Sequence, residues 1–195
     1  MPAWAAAGGA IAPVRLVRIL RELTARGLLS VDRSGPRWRY YQDDDLHRMA
    51  KELISASGEA GETIARLADA VAALLPAEAK APPGPYLEAI SEVIAAVRSV
   101  LSATAGGDLD PGRGLDIAFR LHRYWAATNV AEGRFWLSRL LAIAPPGPGT
   151  AYATYALGYL GYWAGDTAAA SEDLRSAAEQ LSGQPDEYAA RALIY

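Results

Sequence analysis

The sequence predicts a mainly α-helical chain, with a short β-hairpin near its start and a solenoid of packed helix pairs towards its end. Three observations predict it. Apolar residues recur at helical spacing through most of the 195 residues. Alanine is abundant while Phe occurs only twice, which favours closely packed helices over a β-sandwich. One helical pattern also returns: Gly133, Leu137 and Leu140 recur as Ala170, Leu174 and Ala177, an offset of 37 residues.

Residues 13–26 read as the first helix. Val14, Val17, Leu20 and Leu23, with Leu16 and Ile19 beside them, make an apolar face, and Arg15, Arg18, Arg21 and Arg26 lie largely off it. Gly27 is a natural stop, because glycine tolerates a left-handed backbone. Residues 28–32 and 37–42 then read as two strands around the turn Arg33-Ser34-Gly35-Pro36, with Trp38 and Tyr40 on one face. The run Asp43-Asp44-Asp45 opens a helix that reaches about residue 56. One aspartate is expected to cap it and all three suit its positive end. Holding a cation there is the weaker reading, since consecutive residues cannot all point at one ion and no Ca²⁺-loop spacing follows.

Ser57-Gly58 ends that helix, and another is expected over 59–75. Residues 76–85 are rich in Pro and Ala and read as a linker or exposed loop. Further helices are expected over 86–104, 115–128, 131–144, 150–164, 167–181 and from 186 onward. The breaks fall at Gly106-Gly107, Asp110-Pro111-Gly112, residues 145–149 and residues 183–185. In the last pair Gly165-Asp166 makes the turn, Gly158 permits close approach of two helices with Ala170 and Ala177 expected across from it, and Ala170, Leu174 and Ala177 form an inner stripe.

Hydrophobic residues make up 51% of the chain, too many for a largely disordered protein. Cysteine is absent, which excludes disulfides, thiolate metal sites and cysteine nucleophiles and fits a reducing cytoplasm. His47 and His122 are the two histidines. His47 reads as a surface or interface residue, and His122, beside Tyr124-Trp125, as a helix-packing residue. The overall charge of -3 is unevenly spread: residues 13–51 hold nine Lys/Arg and five Asp/Glu, a net of +4, leaving -7 for the rest. Met1 to Pro13 lacks a basic leader, so no secretory signal is expected. The uncharged stretch 140–165 is broken by prolines, and its helical part falls short of the roughly 20 residues that span a bilayer. A cytoplasmic location follows as the expectation.

No Gly-Lys dipeptide occurs, so the chain lacks a phosphate loop, and Gly147-Pro148-Gly149-Thr150 reads as a connection between helices. No catalytic residue, cofactor or metal is expected. Aromatic side chains favour recognition surfaces, so Trp125, Trp136, Tyr155, Tyr159 and Trp163 are the candidate partner-binding residues. Tyr152 and Tyr162 could join them. Packing between repeats should account for most of this group, with two or three exposed. Arg33, Arg37 and Arg39 flank the hairpin and are the candidate DNA-binding residues of an alternative reading.

The helix–strand–turn–strand order of 13–42 resembles the second half of a winged helix. Residues 156–181 resemble a tetratricopeptide (TPR) repeat, whose usual 34-residue period is here lengthened by three in the Pro-rich connection. Between them, Arg39-Tyr40, Leu46, Met49-Ala50, Glu52-Leu53 and Ser57-Gly58-Glu59 resemble a signature of large bacterial regulators, the signal-transduction ATPases with numerous domains (STAND), of the LuxR and antibiotic-regulatory types. Leu20 to Leu29 resembles their winged-helix stretch, and Ala127 to Ala144, with Glu132-Gly133-Arg134-Phe135-Trp136-Leu137, resembles their first TPR-like pair. Tyr41-Gln42-Asp43-Asp44-Asp45 departs from the family's Leu-Leu-Glu-Thr, and the family's nucleotide-binding domain is not in this sequence.

The resemblance implies a winged-helix remnant with its following helix over 13–57, connecting helices and linkers over 58–114, and TPR-like repeats over 115–195. It implies a non-enzymatic regulatory and protein-interaction portion of such a regulator. The repeats would bind a protein partner or small-molecule inducer, and the winged helix would pack on the parent's nucleotide-binding domain, without direct DNA contact and without a membrane. The alternative is a free-standing winged-helix DNA-binding transcription factor with a helical effector or dimerisation domain. A general TPR adaptor is a third reading.

Overall fold

A computed structural model describes residues 13–35, 38–75, 83–182 and 187–192. It is mainly helical with a two-stranded antiparallel sheet. Helix α1 (Pro13–Ala25) ends at Gly27, whose φ of 72° is open to glycine but costly for a residue with a Cβ. There the Gly27 and Leu28 amides donate to the carbonyls of Thr24 and Leu23, satisfying the helix end. Strands β1 (Ser30–Asp32) and β2 (Arg39–Tyr41) follow, paired Ser30 to Tyr41, Val31 to Tyr40 and Asp32 to Arg39. The first strand starts two residues later than expected, because the Leu28 amide is still bound to the end of α1, and Asp32 accepts from the Ser34 amide at 2.8 Å where the turn was expected.

Helix α2 (Asp44–Ser57) is capped by Asp43, whose carboxylate accepts from the Asp45 amide at 2.9 Å. Asp45 pairs with Arg48, so the aspartate run is spent on starting a helix. The apolar stripes of α1 and α2 are regular, yet no described residue before Ala68 is buried.

Helices α3 (Ala60–Leu74), α4 (Pro83–Gly106), α5 (Pro111–Arg120), α6 (His122–Thr128), α7 (Val130–Leu141) and α8 (Pro148–Trp163) share one core. Val71, Ile90, Leu101, Leu115, Leu137 and Leu160 are at its centre. Burying each such side chain is worth about 1.5–3 kcal/mol. The connecting helices thus belong to the body, and the expected boundary at 114/115 falls inside α5. Helices α9 (Thr167–Leu181) and α10 (Glu187–Ala192) add a smaller cluster around Tyr155, Leu174 and Ala177.

Three helices begin earlier than expected, for one reason: α4 at Pro83, inside the expected linker, α5 at Pro111 and α8 at Pro148. Proline lacks an amide hydrogen, so it suits a first helical turn, where that hydrogen has no helical partner. Asp110 caps α5 through the Arg113 amide, placing Pro111 inside the helix and not in a break. Gly147 likewise precedes Pro148 at the start of α8, where the Thr150 hydroxyl accepts from the Gly147 amide at 2.9 Å. The single helix expected over 115–128 is two, because the Leu121 amide turns back to the Ala118 carbonyl at 3.1 Å. Among the described residues α4 is long and apolar enough to cross a membrane. Tyr86, Ile90, Val97 and Leu101 on it lie in the body's core. Its Tyr86 hydroxyl donates to the Arg120 carbonyl at 2.8 Å, tying it to α5.

All six recurring positions are buried: Gly133, Leu137 and Leu140 on α7, and Ala170, Leu174 and Ala177 on α9. Gly133 sits where a Cβ would come within 2.6 Å of Leu160 and 2.7 Å of Trp125. At Gly158 a Cβ would meet Leu174 at 2.8 Å and its backbone nitrogen at 3.0 Å. The expected close approach is present, with one correction: Leu174 and Asp173 lie opposite Gly158, while Ala170 faces Gly161.

Candidate interaction surface

Helix α8 begins with small residues and carries Tyr152, Tyr155, Tyr159, Tyr162 and Trp163 on one side. The 3.6-residue period puts them there, while Ala153, Ala156 and Leu160 face the core and Gly158 and Gly161 face α9. Rings from other helices extend this strip. Phe119 of α5 lies 5.3 Å from Tyr152, and Tyr188 of α10 packs edge-on against Phe119 at 4.9 Å and Tyr155 at 5.2 Å. His122 stacks on Phe119 at 5.3 Å and meets Tyr159 edge-on at 5.1 Å. Its Nδ1 is 2.6 Å from the Phe119 carbonyl oxygen, so the ring donates there. His122 is buried and packs helices, whereas His47 is exposed.

The five candidate partner-binding residues separate. Trp125 and Tyr155 are 0% and 1% exposed, so they leave the candidate surface. Trp125 is roofed by Gly133, and Tyr155 is closed off by the rings of His122 and Tyr188. Trp136 is half-buried on α7 beside Phe135, one turn from Glu132, whose carboxylate accepts from Arg98. Tyr159 is half-buried, and Trp163, 56% exposed, stands at the open end of the strip with Tyr162. Phe119 and Tyr188 were not expected here, and nothing in their spacing ties them to α8. The 152/155/159/162 spacing was the readable signal.

Charged groups lie in the turn after α8 and on α9. Asp166, in the turn after α8, accepts from Arg134 at 3.0 Å. Asp173, opposite Gly158, has its carboxyl pKa raised, first by burial and then by the neighbouring Glu172 carboxylate. Elsewhere, a depression of about 280 Å³ between α3 and α5 holds Asp69, Asp110, Arg113 and Asp116, all engaged locally. Arg113 pairs with Asp69, Asp116 pairs with Arg120, and Asp110 caps α5.

On the hairpin, the Arg33 guanidinium lies 4.7 Å over the Trp38 ring, and Arg39 stands opposite Asp32. Arg37 lies outside the described residues. The Asp32 carboxyl pKa is lowered, first by its hydrogen bonds from Ser34 and in part by Arg39. Two of the three candidate DNA-binding arginines therefore have partners within the hairpin.

Comparison with known proteins adds no relative: no family model, no curated protein and no solved structure matches the chain.

Proposed function

We propose that this chain is the regulatory and interaction portion of a STAND-type transcriptional regulator, with TPR-like helix pairs as its partner-binding or inducer-sensing scaffold. The observation that carries the reading is the unequal burial of its two parts. The body holds a core of its own, and its helix pairs repeat the same buried small-and-leucine stripe on α7 and α9. The head, residues 13–57, exposes Val17, Trp38, Met49 and Leu53. Exposed apolar side chains on each element of the head suit a surface that another domain covers. In the reading proposed, that domain is the parent regulator's nucleotide-binding domain, and the setting is cytoplasmic.

The test has two arms. The reading frame upstream of residue 1 is expected to encode a nucleotide-binding ATPase domain, and the isolated chain is expected to bind no ATP by calorimetry. An upstream frame without such a domain, or saturable micromolar ATP binding by this chain, would sink the proposal. Footprinting addresses the DNA-binding alternative. A discrete footprint at physiological salt, lost when Arg33, Arg37 and Arg39 are replaced together, would favour that alternative, because phosphate contacts by these arginines should weaken steeply with salt.

A further inference from the structure

We infer that the exposed seam of α2, formed by Met49, Leu53 and Ala56, docks an amphipathic helix whose apolar stripe is bordered by lysine or arginine. The inference rests on the reading that another domain covers the head, and it names the element of that domain that meets α2.

Spacing supports it first. Leu46, Met49, Leu53 and Ala56 stand three, four and three residues apart on α2, the heptad rhythm that lines apolar side chains along one side of a helix. A second helix fits such a row, because its own side chains enter the gaps between knobs so spaced. The 14 residues of α2 make two heptads, a seam about 21 Å long.

Exposure leaves that seam open. Leu46 is half-buried, whereas Met49, Leu53 and Ala56 are exposed. Leu53, at 69%, is the most exposed large apolar side chain among the described residues, and Met49 is 54% exposed. The unbranched Met49 side chain adapts to the shape of a partner.

Charge decides the kind of occupant. On one border of the seam Ala50 and Ile54 are half-buried. On the other border stand Asp45 and Glu52, one heptad apart and both exposed. Arg48 engages Asp45 at 2.7 Å, while among the described residues no cation pairs with Glu52. Border carboxylates at such positions select a partner helix of opposite charge. They also repel phosphate, so this border disfavours a nucleic acid or an anionic lipid surface, although the head as a whole is basic.

The test uses the full chain and three labelled helical peptides of one length. Two carry leucine at both seam positions of each heptad, bordered by lysine in one and by glutamate in the other. The third has the lysine border with serine in the seam. Fluorescence anisotropy, at concentrations where each peptide is monomeric, should show the lysine-bordered leucine peptide binding saturably and the other two at least several-fold more weakly. Leu53→Ser should weaken that binding roughly tenfold, and Glu52→Lys should turn the preference towards the glutamate-bordered peptide. Melting curves establish that each variant is folded, which the exposure of both side chains favours. No binding of any peptide, equal binding of the glutamate-bordered or serine-seam peptide, or binding indifferent to Leu53→Ser would overturn the inference. So would Leu53-dependent binding of duplex DNA or of phosphatidylserine vesicles, or a dimer in sedimentation that Leu53→Ser dissociates. Equal binding of the glutamate-bordered peptide, if lost in Leu53→Ser, would leave the covered-surface reading standing, and the upstream reading frame tests that reading separately.

Discussion

In the head, Val17, Trp38, Met49 and Leu53 are 43–69% exposed; in the body, Trp125, Leu137, Leu140 and Leu160 are fully enclosed. Both regions are built from amphipathic helices. The difference lies in what faces each apolar stripe. On α7 and α8, glycines let neighbouring helices come within contact of the backbone, so leucines on either side close over the gap. On α1 and α2 no described element closes over the stripe, and Leu16, Ile19 and Leu20 stop at partial burial. An amphipathic pattern is a requirement for burial, and a facing surface completes it.

The sharpest way to break the comparison is at Trp125. Trp125→Ala empties the centre of the body and should cost about 3–5 kcal/mol, read as a large drop in the thermal midpoint. Its indole nitrogen has no hydrogen-bond partner among the described residues. The loss is thus one of packing, and Trp125→Phe should be much milder. A small effect of Trp125→Ala would mean the body is no better packed than the head.

Next in size is Gly158→Leu. Steric overpacking against Leu174 should cost about 1–3 kcal/mol, offset by about 1 kcal/mol of helix propensity gained over glycine. The variant should melt below wild type, because the clash includes the Leu174 backbone nitrogen and not only a movable side chain. A midpoint at or above wild type would place Gly158 outside a tight contact. Gly183, in the break expected over 183–185, lies outside the described residues.

Smaller effects come from charge. Arg98 holds the Glu132 carboxylate through two hydrogen bonds of 2.6 and 2.8 Å and lowers its pKa. A lowered carboxyl pKa stabilises the fold above the unfolded value, about 4.3, and that stability is lost as pH falls through the folded value. Glu132→Gln should remove it, flattening the acid limb of the stability profile by about 0.5 kcal/mol, since Arg98 is half-exposed and its charge is screened. Asp173 carries the opposite sign. Its raised pKa means stability is greatest below the unfolded value and declines as pH rises through the folded one. Asp173→Asn should therefore raise the midpoint slightly at pH 7 and leave it unchanged near pH 3.

The smallest effect should be in the head. Leu53→Ser removes an apolar side chain that is 69% exposed, and should change stability within about 0.5 kcal/mol. A cost of several kcal/mol would show that the head's apolar face is covered in solution, by a second copy or by the body, and would erase the contrast.

The candidate surface was partly legible. Tyr152, Tyr155, Tyr159 and Tyr162 were named as aromatics, and their spacing is enough to put them on one side of a helix, because a 3.6-residue period acts within a single element. It could not show that Tyr155 is closed over by Tyr188 from α10, or that Trp125 lies under Gly133. Those are meetings of residues far apart in the chain.

The same division runs through the fold. Sequence alone determined the helical class, an aspartate cap within 43–45, the Gly27 stop, the Gly165-Asp166 turn and the inner stripe on α7 and α9, because capping, left-handed glycine and helical periodicity act over a few residues. Pro111 and Pro148 misled it: a proline that ends one helix and one that begins the next read alike without the cap in view. Tertiary structure alone decided that α3 and α4 share the body's core, that Leu174 and not Ala170 faces Gly158, and that Trp163 is left exposed where Trp125 is enclosed. Burial depends on which surfaces meet, and that is a property of the assembled helices, not of any one of them.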